Sequence, residues 1–65
     1  MSAKARLLEI FDREEKVLVR RIELLSGGYM TTWTNNIEDT QESLALSIRS
    51  LEEIRRAREL LNSGI

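Results

Sequence analysis

Carboxylates recur in adjacent pairs along this chain, at Glu14-Glu15, Glu38-Asp39 and Glu52-Glu53. General acid–base work needs a carboxylate whose pKa is raised by burial, and most of these pairs read as solvated surface or as complement to a helix dipole. Four carboxylates in a bundle can hold two metal ions, but the Glu-x-x-His pair of such centres is impossible in a chain without His. Ser43, Ser47 and Ser50 line one side of a helical stretch. A nucleophilic serine would need a base, and without His only Lys or a carboxylate remains. Small residues there serve the close approach of helices instead. The segment "SGGY" has neither the Lys nor the spacing of a phosphate-binding loop. Cys is absent, which removes thiol chemistry and disulfides together. No catalytic residue, metal or cofactor is expected.

Binding chemistry is better represented. Arg55, Arg56 and Arg58 form the densest basic run, and the planar fork of Arg grips phosphate and carboxylate in a bidentate way. With Tyr29 from the central segment they make a candidate anion site, moderated by Glu52, Glu53 and Glu59. Glu14 and Arg21 fall near the centre of the first apolar stripe, and Arg58 in the seam of the second. These three are expected to be polar interface residues, paired across helices with their stems lying on apolar surface. Ten Lys and Arg against eleven Asp and Glu give a net charge of -1, which argues against nucleic acid as a partner.

A third group is aromatic. The stretch "LLSGGYMTTWTNN" holds Tyr29, Met30 and Trp33 in the least regular part of the chain. These side chains either fold back to plug the end of a helical bundle or stand out to meet a protein partner, a use for which Trp, Tyr and Met are favoured. "YMTTWT" also permits a short β-like excursion.

The elements that must position these residues are two amphipathic helices. From about 3 to 25, good helix formers place Leu7, Phe11, Leu18, Ile22 and Leu25 in one stripe, over roughly 35 Å of helix at 1.5 Å per residue. Ser26-Gly27-Gly28 stops this helix, and a loop covers 26–36. Asn35 or Asn36 is expected to cap a second helix of about 37–62, with Glu38, Asp39 and Glu42 at its positive end. Its stripe is Ile37, Leu44, Ile48, Leu51, Ile54 and Leu61, and Asn62-Ser63-Gly64 ends it after the Arg-rich turn. A helix, a turn bearing an aromatic and Thr, and a second helix resemble in outline several small phage-type proteins, with no motif that transfers residue by residue.

The expected fold is all-α: one domain over 1–65, an antiparallel helical hairpin of two long amphipathic helices. A 65-residue core seldom supplies more than about 3–5 kcal/mol, and neither a disulfide nor a His-based metal site can staple it. Self-association into a four-helix bundle or larger helical assembly, a homodimer first, is the expected remedy. Charge supports an antiparallel dimer, the basic open end of one hairpin beside the acidic loop end of another. No run approaches the ~20 apolar residues of a membrane span, and a cytoplasmic protein is expected. The expected function is a non-catalytic protein–protein interaction module, an assembly factor, adaptor or inhibitor acting as a homo-oligomer. The alternative is an oligomer that sequesters a phosphate-bearing small ligand such as a nucleotide between Arg-lined helices. A small nucleic-acid-associated regulator comes third.

Overall fold

Ser2 opens the first helix: its side-chain oxygen accepts a 3.1 Å hydrogen bond from the Ala5 N–H, satisfying one of the free amides of the first turn. The computed structural model describes Ser2 to Gly64. Helix α1 runs Ala3–Ser26 and helix α2 runs Thr40–Asn62. Between them strands β1 (Trp33–Thr34) and β2 (Ile37–Glu38) pair antiparallel. The chain is thus mostly helical, with a short strand pair between its helices.

Helix α1 ends in a tight cap. Gly28 adopts φ +80°, which L side chains resist, and this lets the Tyr29 N–H reach back 2.9 Å to the Leu24 carbonyl. The Gly28 N–H bonds the Leu25 carbonyl at 3.4 Å, completing the double bond pattern that closes helices on glycine. Gly64, at φ +81°, repeats the left-handed residue just past α2.

The second helix starts later than the sequence suggests. Asn35 and Asn36 do not cap it. Both have positive φ, 52° and 66°, and form the two-residue turn joining β1 to β2. Successive left-handed residues match the twist of a two-stranded ribbon, and Asn tolerates that conformation better than most residues with a β-carbon. Asp39 is the cap residue: its carbonyl accepts the Ser43 N–H at 2.9 Å, while its side chain makes no capping bond. Ile37 and Glu38 therefore lie outside the helix. At the far end α2 continues to Asn62, so Arg55, Arg56 and Arg58 precede its last turn and do not complement the helix terminus.

The helices lie side by side and run in opposite directions, since Glu15 meets Arg58 whereas Arg21, further along α1, faces Asp39 at the start of α2. The seam positions on α1 are Leu8, Phe11, Glu15, Leu18, Ile22 and Leu25, all buried or half-buried and spaced alternately by three and four, with Val19, Arg21 and Leu24 half-buried beside them. On α2 the seam positions are Thr40, Leu44, Ser47, Leu51, Ile54, Arg58 and Leu61, with the same alternation, and Ser43 and Ala57 are half-buried beside them. This is the spacing of a coiled-coil seam. Leu7 and Ile48, expected in the stripes, are instead exposed, and Leu8 and Ser47 take their places. Only Leu25 and Leu51 are buried apolar residues among those described. The molecule measures 44 × 21 × 18 Å, and none of its described helices is long and apolar enough to cross a membrane.

Candidate functional site

A two-stranded ribbon of this length is marginal in water, so something must hold it. A chain of threonines and serines does. The Thr32 N–H donates to the Thr40 hydroxyl at 3.2 Å, and the Thr32 hydroxyl lies 2.8 Å from that of Ser43. The Asp39 N–H returns a 2.9 Å bond to the Thr32 carbonyl. The Thr34 hydroxyl donates to Asp39 Oδ2 at 2.7 Å. Thr40 is buried in this clamp, and the Ser47 hydroxyl, also buried, donates to the Ser43 carbonyl at 2.8 Å one turn further on. The hydroxyls of Thr32 and Thr34 beside Asp39, with the positive charge of Arg21, hold its carboxyl below the usual carboxylate value against the opposing effect of burial. The Ser43 hydroxyl thus meets a threonine and the Ser47 hydroxyl a backbone carbonyl.

What this clamp holds up is apolar. Tyr29 is 84% exposed and Trp33 63% exposed, and Ile37 stands out as well. Neither ring folds back as a plug over the helix ends; Met30 alone of the three expected contact residues is half-buried. The register pairs Trp33 with Glu38 and Thr34 with Ile37. Directly paired residues share a face of a ribbon, so Trp33 projects from one face and Ile37 from the other. Tyr29 sits at the base, its ring 2.8 Å from where a β-carbon on Gly27 would lie, which explains glycine at a position with an ordinary φ of -83°. Beside Ile37 the surface is acidic: Glu38, Asp39 and Glu42 line a shallow depression of about 490 Å³ with Thr34 and Asn35. No group of three or more metal-ligating residues is assembled among the described residues.

The other candidate residues are distributed differently. Arg58 lies in the seam and pairs with Glu15, toward which Arg55 Nε also reaches, at 3.9 Å. Arg56 is exposed. Tyr29 stands near Arg20, Glu23 and Leu24, about two helical turns beyond Glu15 and so roughly 12 Å away along α1. The proposed anion set of Arg55, Arg56, Arg58 and Tyr29 is therefore not brought together within this chain. Glu14 is exposed at the rim of a groove between the helices, and its neighbour Glu15 takes the central place. Arg21 is half-buried.

Glu15, Thr32 and Thr34 escape the sequence reading as seam or site members, and Asp39 and Ile37 are read there as parts of the second helix, a dipole complement and a stripe residue, rather than of the tip. A signal existed for two of them. The spacing 8-11-15-18-22-25 puts Glu15 in the seam, and an Asn pair between "WT" and "IE" marks a two-residue turn that exposes Ile37. No known protein family, curated protein or solved structure matches the chain.

Proposed function

We propose that this chain is a non-catalytic protein–protein interaction module that works as a homo-oligomer, a pair of helical hairpins completing a four-helix bundle, and that the strand-turn tip is its contact with a different protein. One observation carries the choice of the tip: a hydrogen-bonded clamp holds Trp33 and Ile37 out in water on opposite faces of a ribbon. Large apolar side chains on a rigid, exposed turn mark binding surfaces, and Trp and Tyr are the residue types that dominate interface energetics. A ribbon apolar on both faces fits a cleft better than a flat surface. The carboxylates of Glu38, Asp39 and Glu42 beside Ile37 ask for Lys or Arg at that cleft's rim. The partner is therefore a protein with an apolar cleft and a basic border, and the activity is that of an adaptor, assembly factor or inhibitor that fills it.

A photo-reactive side chain at position 31, exposed where the chain enters the ribbon and free of the turn's left-handed backbone, tests this by cross-linking in native lysate. Wild-type contacts should yield one dominant adduct, which Trp33→Ala and Ile37→Ala abolish while helicity and sedimentation stay unchanged. Retention of the same adduct by both variants would overturn the assignment to the tip.

A further inference from the structure

Helix α1 carries two parallel apolar ladders. One, described above, closes the seam. The other, displaced by one residue, contains Leu7, Ile10 and Val17, and all three are exposed. Helix α2 has a matching second ladder, in which Leu46 and Leu60 are exposed. The two ladders lie on the same side of the helix pair. Between them runs a groove of about 490 Å³ floored by Phe11, Leu18 and Ile54, with the small residues Ser50 and Ala57 opening it on α2. Val17 is 57% exposed and Leu46 62% exposed, so the face is apolar and wet. The opposite side is polar by comparison, bearing Asp12, Lys16, Glu52 and Arg55 around Ile48.

We infer that this grooved face is where a second copy of the chain docks, face to face and two-fold, to make a four-helix bundle. The inference rests on the self-association proposed above and is independent of what the tip binds. Area is the first reason. The chain exposes 5208 Å², about 1,000 Å² more than the roughly 4,200 Å² of a compact monomer of its 7.5 kDa mass. A standard interface covers about 800 Å² on each partner, close to that excess. Charge is the second reason. Glu14 and Glu53 stand at the middle of the face, lining the groove. Arg6, Arg13 and Arg20 recur every seven residues along the outer border of the α1 ladder, and Arg49 and Arg56 do so along that of α2. Across the two-fold axis the middles of the two faces meet, so the carboxylates of both copies lie together and the long Arg side chains of both borders reach in to neutralise them. An isologous contact needs such self-complementarity.

The test uses the intact chain in sedimentation equilibrium and thermal melts at several concentrations. Wild type should sediment as a dimer, with a melting temperature that rises with protein concentration, as mass action requires of a dimeric native state. Val17→Glu and Leu46→Glu should each weaken the dimer by at least about tenfold, whereas Ile48→Glu on the opposite side and Trp33→Ala at the tip leave it intact. Should the two face variants unfold for want of a partner, Ser50→Cys supplies the second measurement, as the natural chain has no other thiol. A short bis-maleimide should link two copies through Ser50→Cys and fail through Ile48→Cys. A wild-type monomer whose melting is independent of concentration overturns the inference and leaves the groove to a foreign chain. So does equal disruption by Ile48→Glu. A dimer that survives Trp33→Ala while the tip cross-link disappears keeps the two surfaces separate.

Discussion

Removing Glu15 while keeping Arg58 strands a cation in the seam. The two side chains retain 22% and 30% of their exposed area, and Arg58 Nε is enclosed with no partner among the described residues. Breaking a fully buried pair costs about 3–5 kcal/mol, and an exposed pair is worth less than about 1. With a quarter of its surface wet, this pair falls between, so Glu15→Leu or Arg58→Leu alone should destabilise by about 1.5–2.5 kcal/mol. In a domain of this size each kcal/mol moves the melting temperature by about 4–8 °C, so either single variant should melt about 6–20 °C lower. The double variant behaves otherwise. Leu at both positions extends the three-four ladder without a charge, and its stability should return to within about 1 kcal/mol of wild type or exceed it. Circular dichroism melts of the four proteins, taken at one concentration, give the coupling directly. If the double variant loses the sum of the two single losses, no interaction joins Glu15 to Arg58 and the seam described here is wrong. Arg55→Ala is the internal control: with its Nε 3.9 Å from Glu15 and its side chain mostly exposed, it should change stability by less than about 0.5 kcal/mol.

Other outcomes follow from the turn and the cap. Asn36→Val forces a β-branched residue to φ 66° and should cost about 1–2 kcal/mol by thermal melt, with loss of the ribbon's amide-exchange protection. Gly28→Ala meets no atom within 4 Å, so its cost is purely conformational, about 1 kcal/mol; Gly27→Ala keeps its backbone but must push the Tyr29 ring aside, which Tyr29 ring resonances will report. The folded-state pKa of Asp39 is depressed, so its contribution to the clamp is present above the unfolded value of about 3.9 and disappears as pH falls through the lower folded one. The protection factors of the Thr32 and Asp39 amides, each taken against the intrinsic exchange rate at the same pH, should therefore fall below about pH 4, and Asp39→Asn should remove that pH dependence. Acrylamide should quench Trp33 fluorescence nearly as well as that of a free indole, given its exposure.

Much of the helical architecture is legible because it is local. The apolar period, a Ser at the start and a glycine at each end are signals carried by the residues themselves. The phase of the first stripe is harder to read. Leu7 and Leu8, Ile10 and Phe11, Val17 and Leu18 are neighbours, so two ladders overlap and a hydrophobicity wheel averages them. Only packing against α2 decides that Leu8, Phe11 and Leu18 turn inward. Glu15 is hidden for a related reason: a charged residue in a seam looks like surface until its partner, Arg58, arrives from 43 residues away. The start of α2 is misjudged because acids and Asn near a helix N-terminus resemble caps whether or not they serve as caps. Here two left-handed Asn residues make a turn, and strands of two residues are too short for alternation to register. The clamp is the least legible part of all. Thr32 finds Ser43 eleven residues on, a pairing that depends on where α2 has already begun.

That clamp also governs how copies of the chain are able to combine. Two-helix chains exchange arms readily when their connection straightens into an open hinge, and a short or strained connection invites it. Here the thirteen residues from Gly27 to Asp39 are occupied by a glycine cap, a paired ribbon and a hydroxyl network anchored on α2. To lend α2 to a neighbour, a chain would first have to dismantle all three. Each copy would therefore keep its own second helix, and the self-association proposed above would join whole molecules without entanglement.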